Sequence, residues 1–185
     1  SGIWICAGML ESAGNVLHNT QVLAGPGGLA GTWRKLHVPM FEAPFYNGGQ
    51  EAMVAETALG RIGVNICFDA LMPESTRLLA VQDVEIVLFP FAADPPPRTA
   101  EGWAAWASPA VQARCRENGV FGVACNYVGE VHHEGAGQVF PGGGMMVGPR
   151  GEQLTEWDGP AGRPHMLTAV LKREMLLSAR AEPEY

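Results

Sequence analysis

Cys67, Lys35 and Glu11 are the residues whose types could combine into nucleophilic chemistry. Cys67 closes the apolar run Ile62-Gly63-Val64-Asn65-Ile66 and precedes a helix start at Pro73. A residue at the C-terminal edge of a strand, ahead of a helix, sits where α/β folds hold their ligands. A thiol there attacks electrophilic carbon once a base draws off its proton. Lys35 lies at a strand end, in Trp33-Arg34-Lys35-Leu36-His37-Val38-Pro39. Glu11 follows an apolar strand and precedes a turn. Each also has an ordinary reading: one more buried cysteine, a member of a solvated basic cluster, a loop acid. Local sequence leaves these alternatives open. His37, His132 and His133 are candidates for a Cys–His pair or a metal site. Adjacent histidines point apart, so a solvated loop is favoured for His132-His133-Glu134. Trp103 and Trp106 read as core or pocket wall.

These residues need elements to position them. Residues 3–8 form an apolar run and read as a buried strand. Residues 15–24 read as a second strand, turned at Pro26-Gly27-Gly28, with residues 29–36 as the returning arm. Residues 39–49 read as a loop with packed aromatics. Residues 53–58 and 61–67 are two strands turned at Gly60. Pro73-Glu74 starts a helix over 75–81. Residues 85–89 are a buried strand closed by Pro90. Residues 92–99 carry three consecutive prolines and are irregular. Residues 103–118 are the longest helical stretch, divided or delayed by Pro109 and capped by Gly119. Residues 120–126 are a strand and 129–143 a glycine-rich loop. Residues 145–148 and 153–157 flank a hairpin turn at Pro149-Arg150-Gly151. Residues 166–171 are a last strand before a polar tail. The pattern is mixed α/β, with helices covering sheet faces, and residues 1–185 read as a single domain.

Composition excludes several classes. The formal charge of −7 argues against nucleic acid or anionic membranes as partners. No run of 20 apolar residues reads as a membrane span, and Ser1-Gly2-Ile3-Trp4 lacks the basic start of a signal peptide. The 4 cysteines contain no CxxC pair and are too few for a disulfide scaffold. A reducing, cytoplasmic compartment is expected, with at least three of the four as ordinary buried cysteines.

Five blocks in order resemble the nitrilase (carbon–nitrogen hydrolase) superfamily, on its amidase and carbamoylase side. They are Gly8-Met9-Leu10-Glu11 with Asn19, TWRKLHVP (32–39), GRIGVNICFDALMPE (60–74), QARCRENGVFGVACNYVG (112–129) and FPGGGMMVGPRGEQL (140–154). The resemblance implies an α-β-β-α four-layer sandwich, here expected to lack the first strand–helix–helix–strand segment. It implies a Glu11, Lys35, Cys67 triad. Glu11 would be the base and Cys67 the nucleophile, with Lys35 and the Phe68 backbone N–H facing the oxyanion. Glu42 would orient the substrate, with Glu51 in reserve. From their own positions beside Cys67, Asp69 and Glu74 read as bracing the cysteine turn, and Glu74 reads equally as a helix-start acid. No metal and no cofactor are implied. The implied substrate is a small linear amide or N-carbamoyl compound, and the implied assembly a homodimer or larger. A nitrile hydrolase, an acyl transferase or a non-catalytic shortened homologue are the alternatives. The chain departs from the family at Leu71, where many amidase-like members carry arginine. It departs at Phe68-Asp69, where nitrilases usually show tryptophan and glutamate, and at Gly144, where serine is common.

Overall fold

A computed structural model describes residues 2–133, 136–155, 157, 159 and 162–182. The chain falls into two compact units, one through Leu88 and one from Phe89 onward.

In the first unit, β1 (Ile5–Ala13), β2 (Val16–Gly25) and β3 (Gly28–Arg34) form an antiparallel sheet in that order. Ala13 pairs with Val16 across a two-residue loop, where Gly14 takes a φ of 64°. Glycine adopts that backbone at no steric cost, which makes this a tight hairpin. β1 therefore runs five residues beyond the strand expected at 3–8 and carries Glu11 inside the ladder. β4 (Ala55–Thr57) pairs antiparallel with β5 (Gly60–Val64), and β5 pairs parallel with β6 (Ile86–Phe91). A short 3-10 helix (Cys67–Leu71) and α1 (Pro73–Ala80) connect β5 to β6. Pro73 at the first helical position has no N–H to leave unsatisfied, so it starts α1 cleanly.

One face of the β1–β3 sheet packs on the β4–β5 layer. Leu23 and Trp33 from the first meet Ala55, Ile62, Val64 and Ile66, with Cys67 packed against the same cluster. Trp33 Nε1 donates to the Met53 carbonyl at 2.6 Å, so its one polar atom is satisfied inside the core. Burying such side chains contributes roughly 1.5–3 kcal/mol each.

The second unit holds α2 (Ala100–Asn118), β7 (Phe121–Asn126), β8 (Val128–His133), β9 (Ala136–Pro141), β10 (Gly144–Val147) and α3 (Arg173–Arg180). α2 begins three residues earlier than the sequence suggests. Thr99 caps it by accepting from the Gly102 N–H at 3.0 Å, and Pro109 lies within it without dividing it. Gly119 ends it at a φ of 57°. The stretch expected as a loop over 129–143 is instead the β8–β9 hairpin, paired from Val128–Pro141 to His133–Ala136. Its valines and the edge-on Tyr127–Phe140 contact at 5.3 Å outweigh its glycines. The expected strand at 153–157 reduces to one bridge, Val147 to Gln153; position 156 lies outside the described residues. The expected strand at 166–171 does not form. Met166 and Val170 are about four-fifths exposed, and a strand without a partner is not stable alone. The polar tail instead forms α3, which buries Leu176 and Ala179. Arg180 Nε donates to the Gly119 carbonyl at 2.9 Å, fastening α3 to the end of α2. Among the described residues, no helix is long and apolar enough to cross a membrane.

Candidate active site

The turn after β5 presents Cys67. The Asn65 N–H donates to the Leu88 carbonyl at 3.0 Å and so continues the β5–β6 ladder one residue past the strand. Cys67 then opens the 3-10 helix with a φ of 49°, the left-handed region. A side chain in that conformation costs about 1–3 kcal/mol, and such residues cluster at functional sites. A strained residue between strand and helix is the geometry that pushes a nucleophile out of a sheet end. Cys67 is half-buried, and the amide of Phe68 follows it in the first turn of the 3-10 helix, where N–H groups lack intrahelical acceptors.

The other thiols differ. Cys115 is fully buried, and burial pushes its pKa well up. Cys6 is half-buried and donates to Gln21 Oε1 at 3.7 Å. Cys125 is exposed rather than buried as expected, although crowding around its sulfur raises the thiol's pKa. Of the other three, only Cys115 is an ordinary buried cysteine.

Lys35 follows β3 directly. Its N–H donates to the Asn19 carbonyl at 2.8 Å, and its carbonyl accepts from the Gly49 N–H at 2.7 Å. The side chain is 1% exposed. Its Nζ donates to both Glu42 oxygens, at 2.9 and 2.7 Å. A buried ammonium needs such a partner, because desolvation otherwise favours its neutral form. Glu42 reaches it from a helical turn in which the Glu42 and Ala43 amides donate to the Pro39 carbonyl. Glu51, the reserve for this role, instead lines a cleft of about 600 Å³ with Glu11, His18 and Arg34. That cleft does not include Cys67, Lys35 or Glu42, so size alone does not make it the reaction site.

The buried carboxylate of Asp69 accepts from three backbone amides: Ile66 at 3.0 Å, Leu36 at 3.3 Å and His37 at 2.7 Å. The His37 ring places Nδ1 at 3.1 Å from Asp69 and 3.0 Å from Ser75 Oγ. Asp69 thus braces the cysteine turn, as expected.

Glu11 is not in this cluster. It faces His18 in the β1–β2 register, and Thr20 faces Arg34 in the β2–β3 register. Thr20 Oγ1 donates to Glu11 Oε2 at 2.8 Å, while Arg34 donates through Nε at 2.9 Å and Nη2 at 2.5 Å. Arg34 first, then Thr20, holds the Glu11 carboxyl down at about 2. Side chains alternate along a strand, so Lys35 leaves the opposite face from Arg34. Of the expected Glu11, Lys35 and Cys67 grouping, Glu11 is hydrogen-bonded to Arg34 and Thr20, and the carboxylate on Lys35 is Glu42. Local sequence does not carry this: alternation sends Arg34 and Lys35 to opposite faces, but only the strand registers decide which of them meets Glu11.

His18 Nδ1 donates to the Asn47 carbonyl at 2.8 Å. His132 is exposed beside Glu130, and Glu134 lies outside the described residues. Among the described residues, no group of three or more His, Cys, Asp or Glu could hold a metal ion.

Comparison with known proteins matches residues 1–180 to the carbon–nitrogen hydrolase family model. A nitrilase of Pyrococcus abyssi (strain GE5 / Orsay) is 33% identical over 156 residues, covering 84% of this chain and 55% of that protein. An (R)-stereoselective amidase of Pseudomonas sp. is 31% identical over 188 residues, covering 98% of this chain and 62% of that protein. The crystal structure of a carbon–nitrogen hydrolase from Helicobacter pylori G27 superposes with a TM-score of 0.83 at 25% identity, covering 97% of this chain and 65% of that one. The chain thus spans less than two thirds of these relatives' length. The family match, the relatives and the shared mixed α/β fold agree with the strained cysteine turn: this chain belongs to the carbon–nitrogen hydrolase family.

Proposed function

We propose that the chain carries the nucleophile and oxyanion side of a hydrolase that cleaves the C–N bond of a small linear amide or N-carbamoyl compound. The observation that carries this reading is Cys67 at a φ of 49° between β5 and a helix. The thiolate attacks the carbonyl carbon, and the carbonyl electron pair moves onto oxygen. Lys35 and the Phe68 N–H face that oxygen; one such donor contributes about 3–4 kcal/mol. The C–N bond then breaks, and ammonia or an amine leaves with a proton. Water hydrolyses the thioester to the acid and restores the thiol. Glu42 holds Lys35 in place through both carboxylate oxygens. Glu42 is also the carboxylate of this cluster to which the thiol proton can pass, in preference to Glu11. More than a third of each relative's length lies outside the matched span, and a base supplied by such a segment would use the same Cys67 and Lys35.

The test is intact-mass labelling with limiting iodoacetamide, followed by ammonia release from a panel of amides and carbamoyl compounds. Cys67 should label first, and Cys67→Ala should abolish turnover. Labelling of Cys67 no faster than exposed Cys125 would favour a non-catalytic homologue.

A further inference from the structure

We infer that Asp69 is a positioning residue, whose carboxylate holds Lys35 in register with Cys67. The inference rests on the proposed roles of those two residues.

The physical problem is one of distance along the chain. Lys35 and Cys67 stand on segments 32 residues apart, at a strand end and a strained turn. Oxyanion stabilisation needs their mutual position held to about 0.5 Å. The backbone bonds of Lys35 run to Asn19 and Gly49 and do not reach the Cys67 turn. β3 ends at Arg34, and Lys35 is followed by residues 36–39, which form no strand. A link between the two segments is required, and Asp69 is placed to be that link.

Each of its bonds falls next to the chemistry. The Ile66 amide, bound at 3.0 Å, belongs to the peptide plane that immediately precedes the Cys67 plane. The Leu36 amide, bound at 3.3 Å, is in the peptide that leaves the Lys35 carbonyl. The His37 amide, at 2.7 Å, fixes the next peptide. The same carboxylate thus grips the residue after Lys35 and the residue before Cys67. Asp69 is 1% exposed, so water does not compete for these donors. Buried hydrogen bonds to a charged group contribute about 1.5–3 kcal/mol each, enough to hold a backbone against its own entropy. The His37 ring extends the brace through Ser75 into the first turn of α1.

Asparagine is the informative replacement. It keeps the shape, but its amide nitrogen cannot accept from a backbone N–H, so either the His37 amide or the Ile66 and Leu36 amides together lose their acceptor. We expect Asp69→Asn to slow iodoacetamide labelling of Cys67 by at least about tenfold, the scale of a misplaced catalytic group. The thermal midpoint should fall by only the several degrees that the lost bonds carry, and fully buried Cys115 should stay unlabelled. The decisive readout is a double-mutant cycle with Lys35→Met. If Asp69 acts by placing Lys35, Asp69→Asn adds little once Lys35 is gone; additive effects would overturn the inference. Fast Cys67 labelling in wild type that Lys35→Met slows and Asp69→Asn does not would also overturn it, while leaving the proposed function intact. Cys67 that is slow already in wild type is failure of the proposed function instead. If Cys115 becomes reactive in Asp69→Asn, the variant has opened, and amide hydrogen exchange of wild type decides. Ile66, Leu36 and His37 should then show a common protection, and rapid exchange at Leu36 and His37 alone would overturn the link.

Discussion

Glu11 and Lys35 leave opposite faces of the same three-stranded sheet. The register pairs Glu11 with His18 and Thr20 with Arg34, so Glu11, His18, Thr20 and Arg34 share one face. Lys35 is one residue beyond Arg34, on the face of Trp33 and the core. Moving Glu11 to the lysine's face would require a one-residue slip of β1, which would invert every side chain of that strand. The two carboxylates near this sheet end therefore do different work. Glu11 ties β1 to the end of β3 through Arg34, and Glu42 balances the buried cation.

That division is open to direct measurement. Glu11→Gln should leave the Cys67 labelling rate within about twofold of wild type, as expected of a group outside the proton-transfer path. Glu42→Gln should slow labelling strongly, because Lys35 loses its partner in a buried position. Near-equal rates in wild type and Glu42→Gln, with Glu11→Gln slow, would restore Glu11 as the base.

The same pair predicts an acid-stability signature. Arg34, then Thr20, lowers the Glu11 pKa from 4.5 to about 2. A carboxyl depressed in the folded state contributes its stability above the unfolded value of 4.5, and loses it as pH falls through about 2. The urea midpoint of wild type should exceed that of Glu11→Gln near neutrality, and the gap should close across that window. Glu11 and Arg34 are partly exposed, so high salt should shrink the gap throughout. A gap that stays constant as pH falls would count against the pairing.

Much of the frame is legible in the residues themselves. The apolar run before Cys67, Pro73 at a helix start and Gly119 at a helix end each carry a local physical reason, and each element forms where that reason places it. Lys35 and Cys67 could be singled out by type and position. What was hidden depended on pairing. The extent of β1 follows from its hairpin with β2, so Glu11 looked like a loop acid while sitting inside a ladder. The β8–β9 hairpin is carried by cross-strand contacts such as Tyr127–Phe140, which no local window contains. The strand expected at 166–171 had the right composition but no neighbour to pair with, and α3 formed next to it because Leu176 and Ala179 find buried positions. The bonds of Asp69 to Leu36 and His37 span more than 30 residues, and nothing in its local sequence announces them.

Lys35 should matter for rate more than for fold. Lys35→Met keeps a flexible stem of similar length in the buried slot, and Glu42, about one-fifth exposed, can turn toward water. On a substrate found in the amide and carbamoyl panel, kcat/KM should fall about 100- to 1000-fold, the cost of one oxyanion donor. Circular dichroism should remain that of wild type. Unchanged kcat/KM would remove Lys35 from the oxyanion role and leave its pairing with Glu42 as structural.

The strained turn makes its own prediction, independent of any substrate. In ordinary backbone, alanine is more stable than glycine by about 0.5–1 kcal/mol, because glycine loses more freedom on folding. At Cys67 the φ of 49° reverses the steric side of that balance, since a Cβ in this region clashes with its own backbone. Both Cys67→Ala and Cys67→Gly remove the sulfur from its packing against the Ile62 and Val64 cluster. Their difference therefore reports mainly the backbone. Cys67→Gly should be at least as stable as Cys67→Ala in urea unfolding. The ordinary preference for alanine at this position would mean that the turn relaxes out of the left-handed region in solution, and with it would go the geometric ground for Cys67 as a presented nucleophile.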